Sequence, residues 1–161
     1  MYKPEYNCPM RATNIGDLWN MGMPDSQQRG LAGEYYVSFM LTRLGYDIGI
    51  TIGRAKIFDL MATGSSGKTL NIQVKSTYTG YDWLVAHDFD SSNNSIVALV
   101  RLGADTSKQP ELYFVTGRRA NQLITHKYPK HSARISRSEI KESYQDHDFS
   151  LITRLLDNNP P

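Results

Sequence analysis

The sequence predicts an α/β fold, a mixed central sheet flanked by helices, and three features carry that expectation. Apolar residues recur at helical spacing between Ser26 and Leu44. Residues 48–52 and 70–74 alternate apolar and polar side chains, the period of a half-buried strand. Two later apolar runs, 96–102 and 112–115, read as further strands, with helical segments after them.

Composition narrows the class before any motif is read. The chain has 161 residues, enough for one domain. Hydrophobic residues make up 40%, about 47% once glycine is added, the ordinary globular share. That excludes a disordered or fibrous chain. No apolar run approaches the roughly 18 residues that cross a bilayer. The N-terminal stretch lacks the apolar core of a signal peptide, so a cytoplasmic protein is expected. A lone Cys8 can form no internal disulfide and no thiolate zinc site.

Taken in order, residues 1–24 show no period and read as an irregular arm, followed by a single domain over 25–161. A helix should start at Asp25 or Ser26 as N-cap and end at Leu44, where Gly45 supplies the left-handed stop. Val37, Met40, Leu41 and Leu44 form its core stripe. Glu34 stands three residues before Val37 and seven before Leu41, on that same stripe. Ile48, Ile50 and Ile52 mark the first strand, residues 57–62 the second and 69–76 the third. Leu70, Ile72 and Val74 face one side of the third strand; Asn71, Gln73 and Lys75 face the other. Residues 117–125 and 149–156 read as helices.

The segment from Ala62 to Thr69 nearly spells the phosphate-binding GxxxxGK(S/T) loop. A true loop of that kind leads into a helix whose N-terminal amides hold the phosphates. Here an alternating strand follows, so a hairpin turn is expected instead. His87, His126, His131 and His147 show no close ligand pair, and no GxSxG elbow accompanies them. Tyr78, Tyr81 and Trp83 could stack on bases or pack under the following loop.

Glu34, Asp59, Gln73 and Lys75 carry the chemistry. Gln73 and Lys75 share a strand face about 7 Å apart, Asp59 lies on the neighbouring strand, and Glu34 points inward from the helix. Two carboxylates, an amide oxygen and the Val74 carbonyl make an oxygen-rich site suited to Mg²⁺. Lys75 is then the cation that positions a water and stabilises phosphate charge. The alternative is a polar strand face meeting solvent, with Glu34 paired to Lys75.

Net charge is only +2, but its distribution is uneven. Arg118, Arg119, Lys127, Lys130, Arg134 and Arg137 fall within 20 residues that contain no Asp or Glu. The block is +6 against −4 for the rest of the chain. It suits phosphate contacts, or else it is a solvated surface.

Gly33-Glu34, Phe58-Asp59-Leu60 and Ile72-Gln73-Val74-Lys75-Ser76-Thr77 resemble the PD-(D/E)xK nuclease superfamily. The match covers residues 30–77. Gln73 stands where that superfamily more often has Asp or Glu; the QxK variant occurs in some restriction enzymes and in intron-encoded homing endonucleases of this fold. The resemblance implies a restriction-endonuclease-like core of helix, three strands, helix and strand. It also implies a Mg²⁺-dependent endodeoxyribonuclease, with Mn²⁺ as a substitute metal. Glu34, Asp59, Gln73 and the Val74 carbonyl would hold the metal, and Lys75 would assist the attacking water. The substrate would be double-stranded DNA, with the basic block on its backbone. Cutting both strands with one site per chain favours a homodimer or homotetramer. The rival is a non-catalytic module of the same fold that binds nucleic acid or protein.

Overall fold

The computed structural model describes residues 24–51, 57–78, 82–125 and 133–157. Helix α1 spans Ser26–Arg43. Asp25 caps it: its carboxylate accepts the Gln28 N–H while the Gln28 side chain accepts the Asp25 N–H, at 2.8 and 3.0 Å. At the other end Gly45, with φ +90°, reverses the chain. Gly33, Val37 and Leu41 form the fully buried stripe, with Glu34 half-buried beside it. Leu44, expected in the core, is 50% exposed because the helix has already ended there.

Five strands build the central sheet in the order β1-β2-β3-β5-β6: β1 Asp47–Ile50, β2 Leu60–Thr63, β3 Thr69–Thr77, β5 Ser95–Arg101 and β6 Glu111–Thr116. All neighbours are antiparallel except β3 and β5, which run parallel. Thr63 and Thr69 close the β2–β3 ladder, so the Gly-Ser-Ser-Gly-Lys segment is a hairpin turn. The expected second strand starts late, at Leu60; Ile57 is 73% exposed and Asp59 lies just outside the strand.

The sheet is covered on both sides. Leu70, Ile72 and Val74 join Ile96, Ala98 and Val100 against α1 and helix α4, Ser150–Asp157. On the opposite face Val97, Leu99, Tyr113 and Val115 pack with Trp83, Phe89, Ile135 and Ile140. Strand β5 is therefore buried on both faces, and its unbroken apolar sequence is the consequence.

The crossover from β3 to β5 holds a strand where the superfamily resemblance implies a helix. This is β4, Trp83–Val85, too short to show a period. It pairs with β8, Ala133–Ile135, which in turn pairs with β7, Ile124–Thr125, to make a second, three-stranded sheet. Helix α2, Gly117–Leu123, ends two residues before the expected 125, where β7 begins. Helix α3, Arg137–Ser143, was hidden by its polar sequence: only Ile140 is buried. The expected N-terminal arm lies outside the described residues except for Pro24, as do Cys8, Ile52 and Tyr81. Among the described residues no helix is long and apolar enough to cross a membrane.

Candidate active site

The candidate site forms where β2 stops and β3 continues. Backbone bonds show which way β3 points its groups: Asn71 N–H donates to Asn94 O, and Thr77 O accepts from Leu102 N–H, both toward β5. A residue in a β-ladder presents its N–H and C=O to the same side, so the alternate residues, Ile72 and Val74, face β2. Ile72 O accordingly accepts the Asp59 N–H at 2.9 Å. One step on, β2 has no residue to offer, and a side chain takes over: Asp59 Oδ2 accepts the Val74 N–H at 2.7 Å. The Val74 carbonyl is turned to this same edge.

Asp59 is held there from its own backbone. Thr51, at the end of β1, donates its N–H to Asp59 O at 3.0 Å. Its hydroxyl lies 2.7 Å from Phe58 O and 2.9 Å from Asp59 O. The carboxylate is thus fixed against the middle residue of the Gln73-Val74-Lys75 run.

Gln73 and Lys75 share a face of β3, as expected from their spacing, and both are half-buried. Burial pushes the Lys75 ammonium below its ordinary value of 10.5, while the Asp59 charge pulls it back up. The Lys75 Nζ lies 5.8 Å from the centre of the Phe89 ring. Phe89 is in turn fixed by Asn121, whose amide oxygen accepts the Phe89 N–H at 2.8 Å and whose amide nitrogen donates to Phe89 O at 2.9 Å.

Glu34 follows the point where α1 approaches β3 most tightly. A β-carbon on Gly33 would overlap Ser76 Oγ and touch Val74, so only glycine lets α1 lie this near β3. The half-buried Glu34 is the next residue along. Among the described residues no three His, Cys, Asp or Glu side chains come together as a metal cluster. The donors expected from the sequence are two carboxylates, an amide oxygen and a carbonyl, all hard oxygens of the kind that suit Mg²⁺ or Mn²⁺.

The described residues of the basic block differ in their settings. Arg118 and Arg119 are exposed on α2; Arg119 Nε lies 3.2 Å from the Tyr144 hydroxyl. Lys127 and Lys130, with His126 and His131, lie outside the described residues. Arg137 is occupied by Glu111, with Nη2 at 2.8 Å and Nε at 3.3 Å, an arrangement that ties α3 to β6. Arg134, on β8, lines a cavity of about 630 Å³ together with Lys75 and Arg29. Arg29 escaped the sequence reading: a single arginine in the first turns of a helix carries no signal until the fold places it. Trp83 packs inside, its indole N–H donating to Val100 O at 2.9 Å. His147 is bonded on both ring nitrogens, to Tyr36 and Asp146, each at 2.8 Å.

No family model matches the chain, and no curated protein matches it. A solved structure of a bacterial homing endonuclease, I-Ssp6803I, shares the fold, with a TM-score of 0.50 over 70% of this chain and 78% of that one, at 11% sequence identity.

Proposed function

We propose that this chain is a metal-dependent DNA endonuclease of the PD-(D/E)xK kind, cleaving double-stranded DNA by hydrolysis of phosphodiester bonds. The observation that carries the reading is the Asp59 carboxylate seated on the Val74 N–H, between Gln73 and Lys75. The fold shared with a bacterial homing endonuclease supports it.

Glu34, Asp59, the Gln73 amide oxygen and the Val74 carbonyl would hold Mg²⁺. The ion supplies Lewis acidity toward the phosphate and lowers the pKa of a bound water. Lys75 would donate hydrogen bonds to the attacking water and to a phosphate oxygen, where charge builds. As the water's oxygen bonds to phosphorus its proton passes to solvent, and as the P–O bond to the leaving oxygen breaks that oxygen takes up a proton from solvent. Its half-buried setting strengthens those bonds, because little solvent competes. Asp59 keeps the ammonium aligned through their mutual attraction. With one such site per chain, cutting both strands favours a homodimer or homotetramer.

Nicking of supercoiled plasmid by the purified protein tests this directly. Cleavage should need Mg²⁺ or Mn²⁺ and stop in EDTA. Lys75→Ala should lose roughly 10²–10⁴-fold in rate while DNA binding stays within a few-fold, because affinity is spread over many phosphate contacts. Gln73→Glu should stay active, since a carboxylate supplies the same oxygen, whereas Gln73→Leu should fail. Wild-type cleavage by Lys75→Ala would overturn the assignment. Binding without any nicking would leave a nucleic-acid-binding module on the same fold.

A further inference from the structure

We propose that the cavity beside Lys75 seats a DNA backbone phosphate adjoining the one that is cut, clamped between Arg29 and Arg134. This rests on the nuclease reading and extends it to residues outside the Gln73-Val74-Lys75 site.

The cavity, about 630 Å³, opens at the C-terminal end of β3, and its walls come from three places in the chain. Lys75 and Tyr78 supply one wall, Arg29 of α1 a second, and Asp82, Leu84 and Arg134 a third. The β4–β8 register fixes how Arg134 points. Trp83 pairs with Ile135 and both are buried, 1% and 0% exposed. Leu84 pairs with Arg134, so period-2 geometry sends these two to the face opposite the buried pair, and both line the cavity, as Trp83 does from the other side.

The electrostatics favour an anion. Three cations face the space against one carboxylate, and Asp82 directs an oxygen to the Arg137 backbone N–H at 3.1 Å. Arg29 and Arg134 are both half-buried, yet among the described residues neither guanidinium meets a carboxylate. Arg101 and Arg137, equally half-buried, both pair with Glu111. A guanidinium withdrawn from water without an acceptor is costly, and a phosphate, accepting two parallel N–H bonds, relieves that cost. A phosphodiester strand fits best because Lys75 belongs to both places. A strand whose scissile phosphate lies on Lys75 carries its neighbouring phosphate into the same space. Leu84, 61% exposed, offers an apolar surface for the attached sugar or base.

The test measures binding of a fluorescent random-sequence duplex in EDTA, where nothing is cut, between 50 and 200 mM salt. Arg29→Gln and Arg134→Gln should each weaken binding, and each should flatten the slope of log K on log salt by about 0.9. The double variant should lose about 1.8 of slope, while Arg134→Lys keeps most of its contact because the charge remains. Arg154→Gln, exposed on α4, should leave the slope unchanged. Arg29→Gln and Arg134→Gln should melt at or above wild type, since each removes a half-buried charge that no carboxylate among the described residues pairs, so weaker binding is not a loss of fold. A double variant with the wild-type slope overturns the clamp; plasmid nicking by that same variant would show the nuclease reading still standing. A wild-type protein that binds no duplex overturns both.

Discussion

Lys75 is held where folding alone would not put it. Its ammonium is half-buried, with the Phe89 ring and the Asp59 charge among the described residues to offset the lost water. Because burial lowers its pKa from 10.5, the folded protein binds that proton less readily than the unfolded chain does. The native state is therefore penalised most below the lowered value, and the penalty fades as pH climbs from there toward 10.5. Lys75→Met keeps the length and discards the charge. It should melt above wild type near neutral pH, by about 2–4 °C for each kcal/mol relieved in a chain of this size. The gain should narrow as pH rises toward 10.5, while nicking is lost. Thermal melts at several pH values check this, and a variant less stable than wild type throughout would show that Lys75 serves the fold. Stability given up at one residue is expected of a group kept for charge and not for packing. Gln73, two residues earlier, has no such signature; only the chemistry of its amide oxygen singles it out.

Strand β3 was legible because nothing competes with its period: each even residue from Leu70 to Val74 is buried and each odd one is not. Helix α1 was legible from both ends, through the Asp25 cap and the Gly45 reversal. Gln73 and Lys75 could be related to each other from β3 alone. What stayed hidden was short or made by distant partners. Strands β4, β7 and β8 have two or three residues each, too few to express alternation. Charge in sequence does not show which cations are already paired: Arg134 lines a cavity, whereas the Arg137 side chain is bonded to Glu111. The link from α2 to the site is of the same hidden kind. Asn121 grips both backbone groups of Phe89 and donates to Ser91 Oγ at 3.1 Å, so a helix on the second core fixes the ring against Lys75. Asn121→Ala leaves these groups without their partner and should cost about 1–3 kcal/mol. As Phe89 loosens, water reaches Lys75, and the limb of the pH–rate profile belonging to that ammonium should move upward. A stability loss with an unmoved profile would make Asn121 a residue of the fold only.

Among the described residues, hydrophobic layers lie on both sides of the central sheet, and Glu111 is where several elements are tied. Its carboxylate, at the start of β6, accepts Arg101 of β5 at 2.9 Å and Arg137 of α3 at 2.8 Å, with Lys141 at 3.9 Å. Burial alone would push the Glu111 carboxyl up, but the Arg137 hydrogen bond and the three positive charges hold it below its ordinary 4.5. The same burial, with the charge of Glu111, pushes the Tyr113 hydroxyl up to about 12. Exposed ion pairs contribute little, yet these side chains are only 19–27% exposed for Glu111, Arg137 and Arg101. Removing the shared acceptor strands two guanidinium groups at once. Glu111→Gln should therefore cost about 1–3 kcal/mol at neutral pH, and the loss should be felt across β5, β6 and α3 together. A depressed folded pKa means this stabilisation is complete above 4.5 and drains away as pH falls through the lower, folded value. Urea melts at pH 7 and pH 3 separate charge from shape. The gap between wild type and Glu111→Gln should be wide at pH 7 and should narrow as pH falls below 4.5 and the wild-type carboxylate begins to take up its proton. A gap of the same size at both values would mean that packing around position 111, not its charge, joins α3 to the central sheet.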